Sequence, residues 1–337
     1  MRYMENKVET ARVVVEYRGV YKVRSETGEY LARVTGKQMF EALSREDYPA
    51  VGDWVTIINL DGENAVIRDI LPRKTMIKKK SGDKIQIIAT NIDVAFVVES
   101  IDRDFNLNRF ERYFANAVEG GVKPVIILNK IDLISREELG SRLAEIESRF
   151  NNVDVILAST VTGEGLDQLK KYIEEDKTYC FLGSSGVGKS SLINNLLGEK
   201  IIKTENIGSR TGKGKHTTTG REMYFLENGG IVIDNPGMRE VGIADASTGV
   251  DNLFDEITDL AKGCKFADCT HVQEPGCQVL AAVDSGRLDR EKYSNYLNLK
   301  KEANYYEMTE LEKREKDRQF GKFIKNYKKE RGRNFEA

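Results

Sequence analysis

Short runs of alternating apolar and polar residues open the chain. ARVVVEYRG (11–19), VYKVRS (20–25), EYLARVTG (29–36), DWVTIINL (53–60) and NAVIRDIL (64–71) are rich in β-branched and aromatic residues and punctuated by Gly19, Gly28, Gly36, Gly52 and Gly62. No helix-length amphipathic stretch separates the first three, so the spacing predicts five strands of a small antiparallel barrel over residues 1–75. A barrel of that size fits an OB-fold, which serves either as a nucleic-acid platform or as a structural appendage. RKTMIKKKSGDK (73–84), with six basic residues and one acidic one, reads as a solvated linker that is also able to touch a phosphate backbone.

The rhythm changes over 76–245. Nearly continuous apolar runs, VAFVVES (94–100), PVIILNKID (124–132), VDVILAS (153–159), TYCFLGS (178–184) and GIVIDNPG (230–237), alternate with helical patterns at 108–121, 136–150, 165–176 and 189–198. Strands of that kind with helices between them predict an α/β unit whose mainly parallel sheet is covered on both faces. Ligands then gather beyond the C-terminal strand ends. The remainder, 246–337, reads as mainly helical. Within it 311–333 carries ten basic and four acidic residues, and Phe320, Phe323, Ile324 and Tyr327 recur at helical spacing. That segment is either an ordinary solvated helix or a basic face for RNA.

Composition narrows the classes. In 337 residues, 52 Lys plus Arg stand against 54 Asp plus Glu, a net charge of −2, which excludes a uniformly basic histone-like protein. The N-terminus does not read as a signal peptide, no run of about 20 apolar residues predicts a membrane span, and four cysteines are too few for a disulfide scaffold. The expected setting is the cytoplasm.

GSSGVGKS (183–190) follows one strand and opens a helix, the context that gives the G-x-x-x-x-G-K-S pattern its meaning. Backbone N–H groups of Gly183, Ser184, Ser185, Gly186, Val187, Gly188, Lys189, Ser190 and Ser191 are the candidates to cradle phosphates. Lys189 brings charge to the β- and γ-phosphates, and the Ser190 hydroxyl is offered to Mg²⁺. Asp234, ending the IVID strand, holds Mg²⁺ through water, and the Gly237 N–H faces the γ-phosphate. In NKID, Asp132 accepts from the N1–H and exocyclic amine of guanine, which adenine cannot match; Asn129 braces the loop and the Lys130 stem stacks over the ring. These assignments select GTP. NKID precedes the phosphate loop by more than fifty residues, the reverse of the ordinary GTPase order, so the domain reads as circularly permuted.

SRTGKGKHTTTG (209–220) lies where a switch loop belongs. One of Thr217, Thr218 or Thr219 supplies a second metal-bound hydroxyl, with Thr218 favoured. His216 either positions the attacking water or meets RNA beside Arg210, Lys213 and Lys215. Met238 follows Gly237 where many GTPases carry a water-orienting glutamine, so hydrolysis is expected to be slow without a partner. Cys264, Cys269, His271 and Cys277 form C-x4-C-x-H-x5-C, a complete tetrahedral set for one structural Zn²⁺, while Cys180 reads as core.

YPAVGDWV (48–55), NKID, GSSGVGKSSL (183–192), GKHTTT (214–219), DNPGMRE (234–240) and CKFADCTHVQEPGCQV (264–279), in this permuted order, resemble the RsgA/YjeQ family of circularly permuted GTPases over nearly the whole chain. The resemblance implies an OB-fold, a permuted P-loop GTPase and a zinc-binding domain. It further implies late maturation of the small (30S) ribosomal subunit, binding to its 16S rRNA, and stimulation of GTP hydrolysis by the subunit. A monomer is the expected form. It places the zinc ligands on the four Cys/His residues above, a catalytic histidine on His216, and the hydrophobic replacement for glutamine on Met238. One departure stands out. The family's Ser-Ala-Lys base loop is Ser159-Thr160-Val161 here.

Two other readings compete with a GTPase. A P-loop kinase or ATPase is disfavoured by NKID, and an RNA-binding protein whose nucleotide only orders the fold would show no subunit-stimulated turnover.

Overall fold

The computed structural model describes residues 8–17, 19–81, 84–102, 105–150, 152–202, 221–235 and 247–309, with six further positions between 311 and 322. Five strands, β1 (Val8–Glu16), β2 (Tyr21–Ser25), β3 (Glu29–Val34), β4 (Trp54–Asn59) and β5 (Asn64–Ile70), close into a barrel of order β1-β2-β3-β5-β4. Closure comes from β1, which pairs with β4 through Val8↔Ile58 to Arg12↔Trp54 as well as with β2. Inward positions supply its core: Ala11, Val13, Tyr21, Val23, Tyr30, Ala32, Val55, Ile57 and Ile67. This is the predicted OB-type barrel, except that β3 and β5 pair in parallel where an antiparallel barrel was expected, and with one addition. A short helix, α1 (Gly36–Glu41), buries no residue and is held by a capping box between Thr35 and Gln38.

The basic run is a strand where a linker was expected. β6 (Met76–Ser81) pairs antiparallel with β7 (Lys84–Thr90), and Ile77 and Ile88 enter the core beside Phe110 and Phe114. Burial of Ile77, Ile87 and Ile88 holds the strand despite its lysines. Two cations of the basic run are also engaged. Arg73 clasps Asp53 through Nε and Nη2 at 2.8 and 2.7 Å, and Lys78 pairs with Glu46 at 3.0 Å.

The central sheet contains β8 (Val94–Ser100), β9 (Lys123–Asn129), β10 (Val155–Ala158), β11 (Thr178–Leu182), β12 (Glu222–Phe225) and β13 (Ile231–Asp234). Its order is β10-β9-β8-β11-β13-β12, parallel except for β12. Period-two alternation serves two cores. Ala95, Val97, Ile126, Leu128, Cys180 and Leu182 face α2 (Leu107–Glu119) and α3 (Arg136–Arg149). Val94, Phe96, Val98, Val125, Ile127, Tyr179 and Phe181 face α4 (Leu166–Tyr172) and α5 (Lys189–Leu197). Barrel and sheet join where β12 meets β1 at Val15↔Glu222. There the buried Arg12 donates to Asn91 O at 3.1 Å and Thr178 Oγ1 at 2.9 Å, and burial lowers its pKa to about 10.

The last part is helical, as expected: α6 (Ser247–Leu253), α7 (Asp255–Ala261), α8 (Gln278–Asp284) and α9 (Arg290–Glu307) enclose Val250, Phe254, Ile257, Val279, Leu288 and Leu299. It docks on α2. A Cβ on Gly249 would lie 2.3 Å from Ala115 O, so only glycine lets α6 approach. Among the described residues, no helix is long and apolar enough to cross a membrane.

Candidate nucleotide site and metal centre

β11 lies at the middle of the parallel sheet, between β8 and β13, so the chain leaving it at Gly183 is flanked by both neighbours' C-terminal ends. The loop is tight. Gly183 has φ +140° and a Cβ there would lie 2.2 Å from Val98 O; Gly188 has φ +100° and a Cβ would lie 2.2 Å from Asn129 Nδ2. Glycine at both positions is therefore required by sterics as well as by backbone conformation.

Asn129 ends β9 and donates through Nδ2 to Val187 O at 2.8 Å. NKID and the phosphate loop, separated and reversed in sequence, thus share one hydrogen bond across 58 residues. Lys189, buried at the start of α5, donates to Gly183 O and Ser184 O, both at 2.7 Å. Burial lowers its ammonium to about 8, against the opposing pull of Asp234 and Glu99. Asp234 ends the neighbouring β13. Burial raises its carboxyl, with Lys189, Ser190 and the Asn235 N–H acting the other way. Its Oδ1 is buried without a hydrogen-bond partner among the described residues. A buried carboxylate oxygen beside a hydroxyl and an ammonium fits a hydrated divalent cation bridging to phosphate.

Lys130 adopts a left-handed conformation, φ 63°, and Asp132 sits in the following 3₁₀ turn. Ser159 Oγ lies 2.5 Å from Asp132 Oδ1 and accepts from the N–H groups of Val161 and Thr162 at 3.2 and 3.1 Å. The departure from the Ser-Ala-Lys pattern thus keeps its serine, which orients the NKID carboxylate. Sequence reasoning did not assign Ser159 this job, although its place in the base loop was the available signal. Thr218, His216, Gly237 and Met238 lie outside the described residues.

The four Cys/His side chains converge. Their ligand atoms all lie within 4.8 Å of one another, with Cys264 Sγ to Cys277 Sγ 3.9 Å, and His271 Nδ1 3.6 Å from Cys264 Sγ and 3.4 Å from Cys277 Sγ. A tetrahedral Zn²⁺ with thiolates at about 2.3 Å spaces its sulfurs about 3.8 Å apart, which the Cys264–Cys277 pair already matches, so the set fits one such ion. His271 is fixed by its own carbonyl, which accepts from Tyr293 Oη at 2.6 Å, and Glu274 gathers the N–H groups of Thr270, Val272 and Gln273 at 2.9–3.1 Å. Four protein ligands leave no open position for a reacting water.

Residues 70–244 match the family model described as RsgA GTPase. The small ribosomal subunit biogenesis GTPase RsgA 1 of Bacteroides thetaiotaomicron is 40% identical over 323 residues, covering 94% of this chain and 90% of that protein. The chain belongs to the RsgA family of circularly permuted small-subunit GTPases. RsgA 2 of Listeria monocytogenes serotype 4b is 42% identical over 88% of this chain and 84% of its own. The crystal structure of YjeQ from Thermotoga maritima superposes with a TM-score of 0.66 at 26% identity, over 88% of this chain and 99% of that one. YloQ, described as a circularly permuted GTPase, shares the fold with a TM-score of 0.63 at 22% identity, over 92% and 100%. Membership in the RsgA family makes the chain a GTP hydrolase.

Proposed function

We propose that this GTPase acts in late maturation of the small ribosomal subunit, binding 16S rRNA and being stimulated by the subunit. In this reading it works in the cytoplasm as a monomer, with the chain divided into a barrel (1–75), the permuted GTPase (76–245) and a zinc-binding helical part (246–337). The observation that carries the nucleotide reading is the Asn129–Val187 hydrogen bond, which joins a guanine-type turn to a phosphate-type loop at the same sheet edge. The relatives' names and the extent of the match support the ribosomal part.

GTP would lie with its base against Asn129, Lys130 and Asp132, and its phosphates over the N–H groups of residues 183–191. Lys189 would then exchange the carbonyls of Gly183 and Ser184 for β- and γ-phosphate oxygens, stabilising charge that grows in phosphoryl transfer to water. Ser190 and Thr218 directly, and Asp234 through water, would hold Mg²⁺, which when bound neutralises the phosphates. The Gly237 N–H would meet the γ-phosphate, and His216 would orient the water. Zn²⁺ on Cys264, Cys269, His271 and Cys277 would serve as a structural staple. The test is the GTP hydrolysis rate of the full chain with and without purified small subunits, repeated with His216→Ala. Acceleration by subunits is expected. A rate indifferent to them overturns the ribosomal reading, and an unchanged stimulated rate in the variant removes His216 from catalysis.

A further inference from the structure

Each side chain of the NKID turn that has a proposed base-site role is held by a different segment. Val187 holds Asn129 and Ser159 holds Asp132. Lys130 is held by a residue that no motif contains: its Nζ lies 3.2 Å from Asp102 Oδ2, with both side chains less than a third exposed. Ser100 Oγ fixes the other carboxylate oxygen, Asp102 Oδ1, at 2.8 Å.

Asp102 lies two residues past the end of β8, the strand adjacent to the turn. Ser100 is in register with Asn129, Ile101 N donates to Asn129 O at 3.0 Å, and Phe105 N closes a turn on Asp102 O at 3.1 Å. The lysine it holds is itself in an uncommon conformation. A left-handed backbone disfavours any residue with a Cβ, and it persists where surrounding structure holds it. Here the Leu133 N–H bonds the Lys130 carbonyl at 3.0 Å and Asp102 takes the ammonium.

The geometry points to Asp102 as a positioning residue for the nucleotide. Its carboxylate anchors the far end of the Lys130 stem, so that the stem forms one wall of the purine slot before the base arrives. The inference deepens the guanine reading of NKID and rests on it. A loose lysine stem would lose its rotamer freedom on stacking; a stem already tied at its end has less to lose, so binding is tighter. The part-shielded pair is also less screened than one on an open surface. Asp102 acts through Lys130 on the face of the purine. Asp132 reads its edge. The two roles separate experimentally, because guanine and xanthine share a face and differ at the edge.

The experiment uses the full-length chain with Asp102→Asn, Asp102→Ala and Asp102→Glu, each also combined with Asp132→Asn. Fluorescent GDP and XDP titrations give Kd, steady-state hydrolysis separates KM from kcat, and thermal melting monitors folding. Asp102→Asn and Asp102→Ala are expected to weaken GDP and raise the KM for GTP by about tenfold, the size of a partly desolvated charge contact, with kcat and melting temperature much less affected. Asp102→Glu is expected to recover most of the loss. In the Asp132→Asn background, which should prefer xanthosine nucleotides, the same Asp102 changes are expected to weaken XDP by the same factor. GDP affinity within twofold of the parent for Asp102→Asn, in a protein whose Asp132→Asn partner does switch to xanthosine, overturns the role of Asp102 and leaves the guanine reading standing. Failure of Asp132→Asn to switch overturns the guanine reading and this inference with it. Loss of affinity matched by a lowered melting temperature and by kcat reduces Asp102 to a fold-stabilising residue.

Discussion

Gly188 and Gly186 lie two residues apart in one loop and tolerate substitution very differently. A Cβ at Gly186 would meet nothing within 4 Å, whereas one at Gly188 would lie 2.2 Å from the Asn129 amide that ties the loop to NKID. Gly186→Ala is therefore expected to cost only backbone strain, about 1–2 kcal/mol. Gly188→Ala adds a clash whose relief would break the Asn129–Val187 bond and should weaken GDP at least about tenfold, since 1.4 kcal/mol already corresponds to that factor. Parallel GDP titrations of the two variants check this; equal affinities would mean the Asn129 link does not shape the loop. The glycines and Lys189 were legible in the sequence because their spacing follows from the backbone of one loop, and Asn129 because it belongs to the NKID motif. Ser159 and Asp102 were not, because each acts on NKID through a contact between segments 27 or 28 residues apart.

At the scale of elements, α2 has the most divided role. Glu111, on this helix, is buried and held by Arg149 at the end of α3, at 2.7 and 3.1 Å, and by Asn295 on α9. Burial raises the Glu111 carboxyl against the pull of Arg149 and Asn295. The helices of the central part and of the cysteine-containing part thus meet on one carboxylate. Arg149→Ala would strand Glu111 in the interface and is expected to destabilise by about 3–5 kcal/mol, read as a lower denaturant midpoint, while Glu111→Leu with Arg149→Met should cost much less. If the single and the double variant unfold together, the pair is not the joint. The periodicity of α2 and α3 predicted both helices, yet nothing local marks residue 111 as a partner of residues 149 and 295. The hairpin of β6 and β7 escaped for another reason. Its lysines dominate the composition, and its burial beside α2 rests on Ile77 and Ile88, which read as strand only once α2 is known to cover them.

Across the whole molecule, the Cys/His centre and the nucleotide loop belong to different hydrophobic clusters, the first shared with α6 to α9 and the second with α4 and α5. Phe254, Ile257, Val279 and Leu299 share one core with Cys277, and Cys264 and Cys269 pack against it, while α2 is tied to α6 and α9 by Glu119 accepting from Gly249 N at 2.6 Å and by Arg112 pairing with Glu302 at 2.7 Å. Metal removal should therefore loosen residues 264–277 while the α2 contacts and the phosphate loop persist. Cys180 supplies an internal control. It is fully buried on β11, accepts from Asn235 Nδ2 at 2.9 Å, and burial pushes its thiol up to about 12, far from the thiolate that alkylating reagents require. Chelation in native buffer is expected to make three of the four thiols react with iodoacetamide at pH 8, counted by intact mass, with the fourth reacting only in denaturant. GDP affinity measured on the same sample should stay within about twofold, because Val187, Leu192 and Ile193 beside the phosphate loop pack in a different cluster, to which local opening need not propagate. Labelling of all four thiols together, or loss of GDP binding on chelation, would mean that the metal staple and the nucleotide site share one cooperative unit.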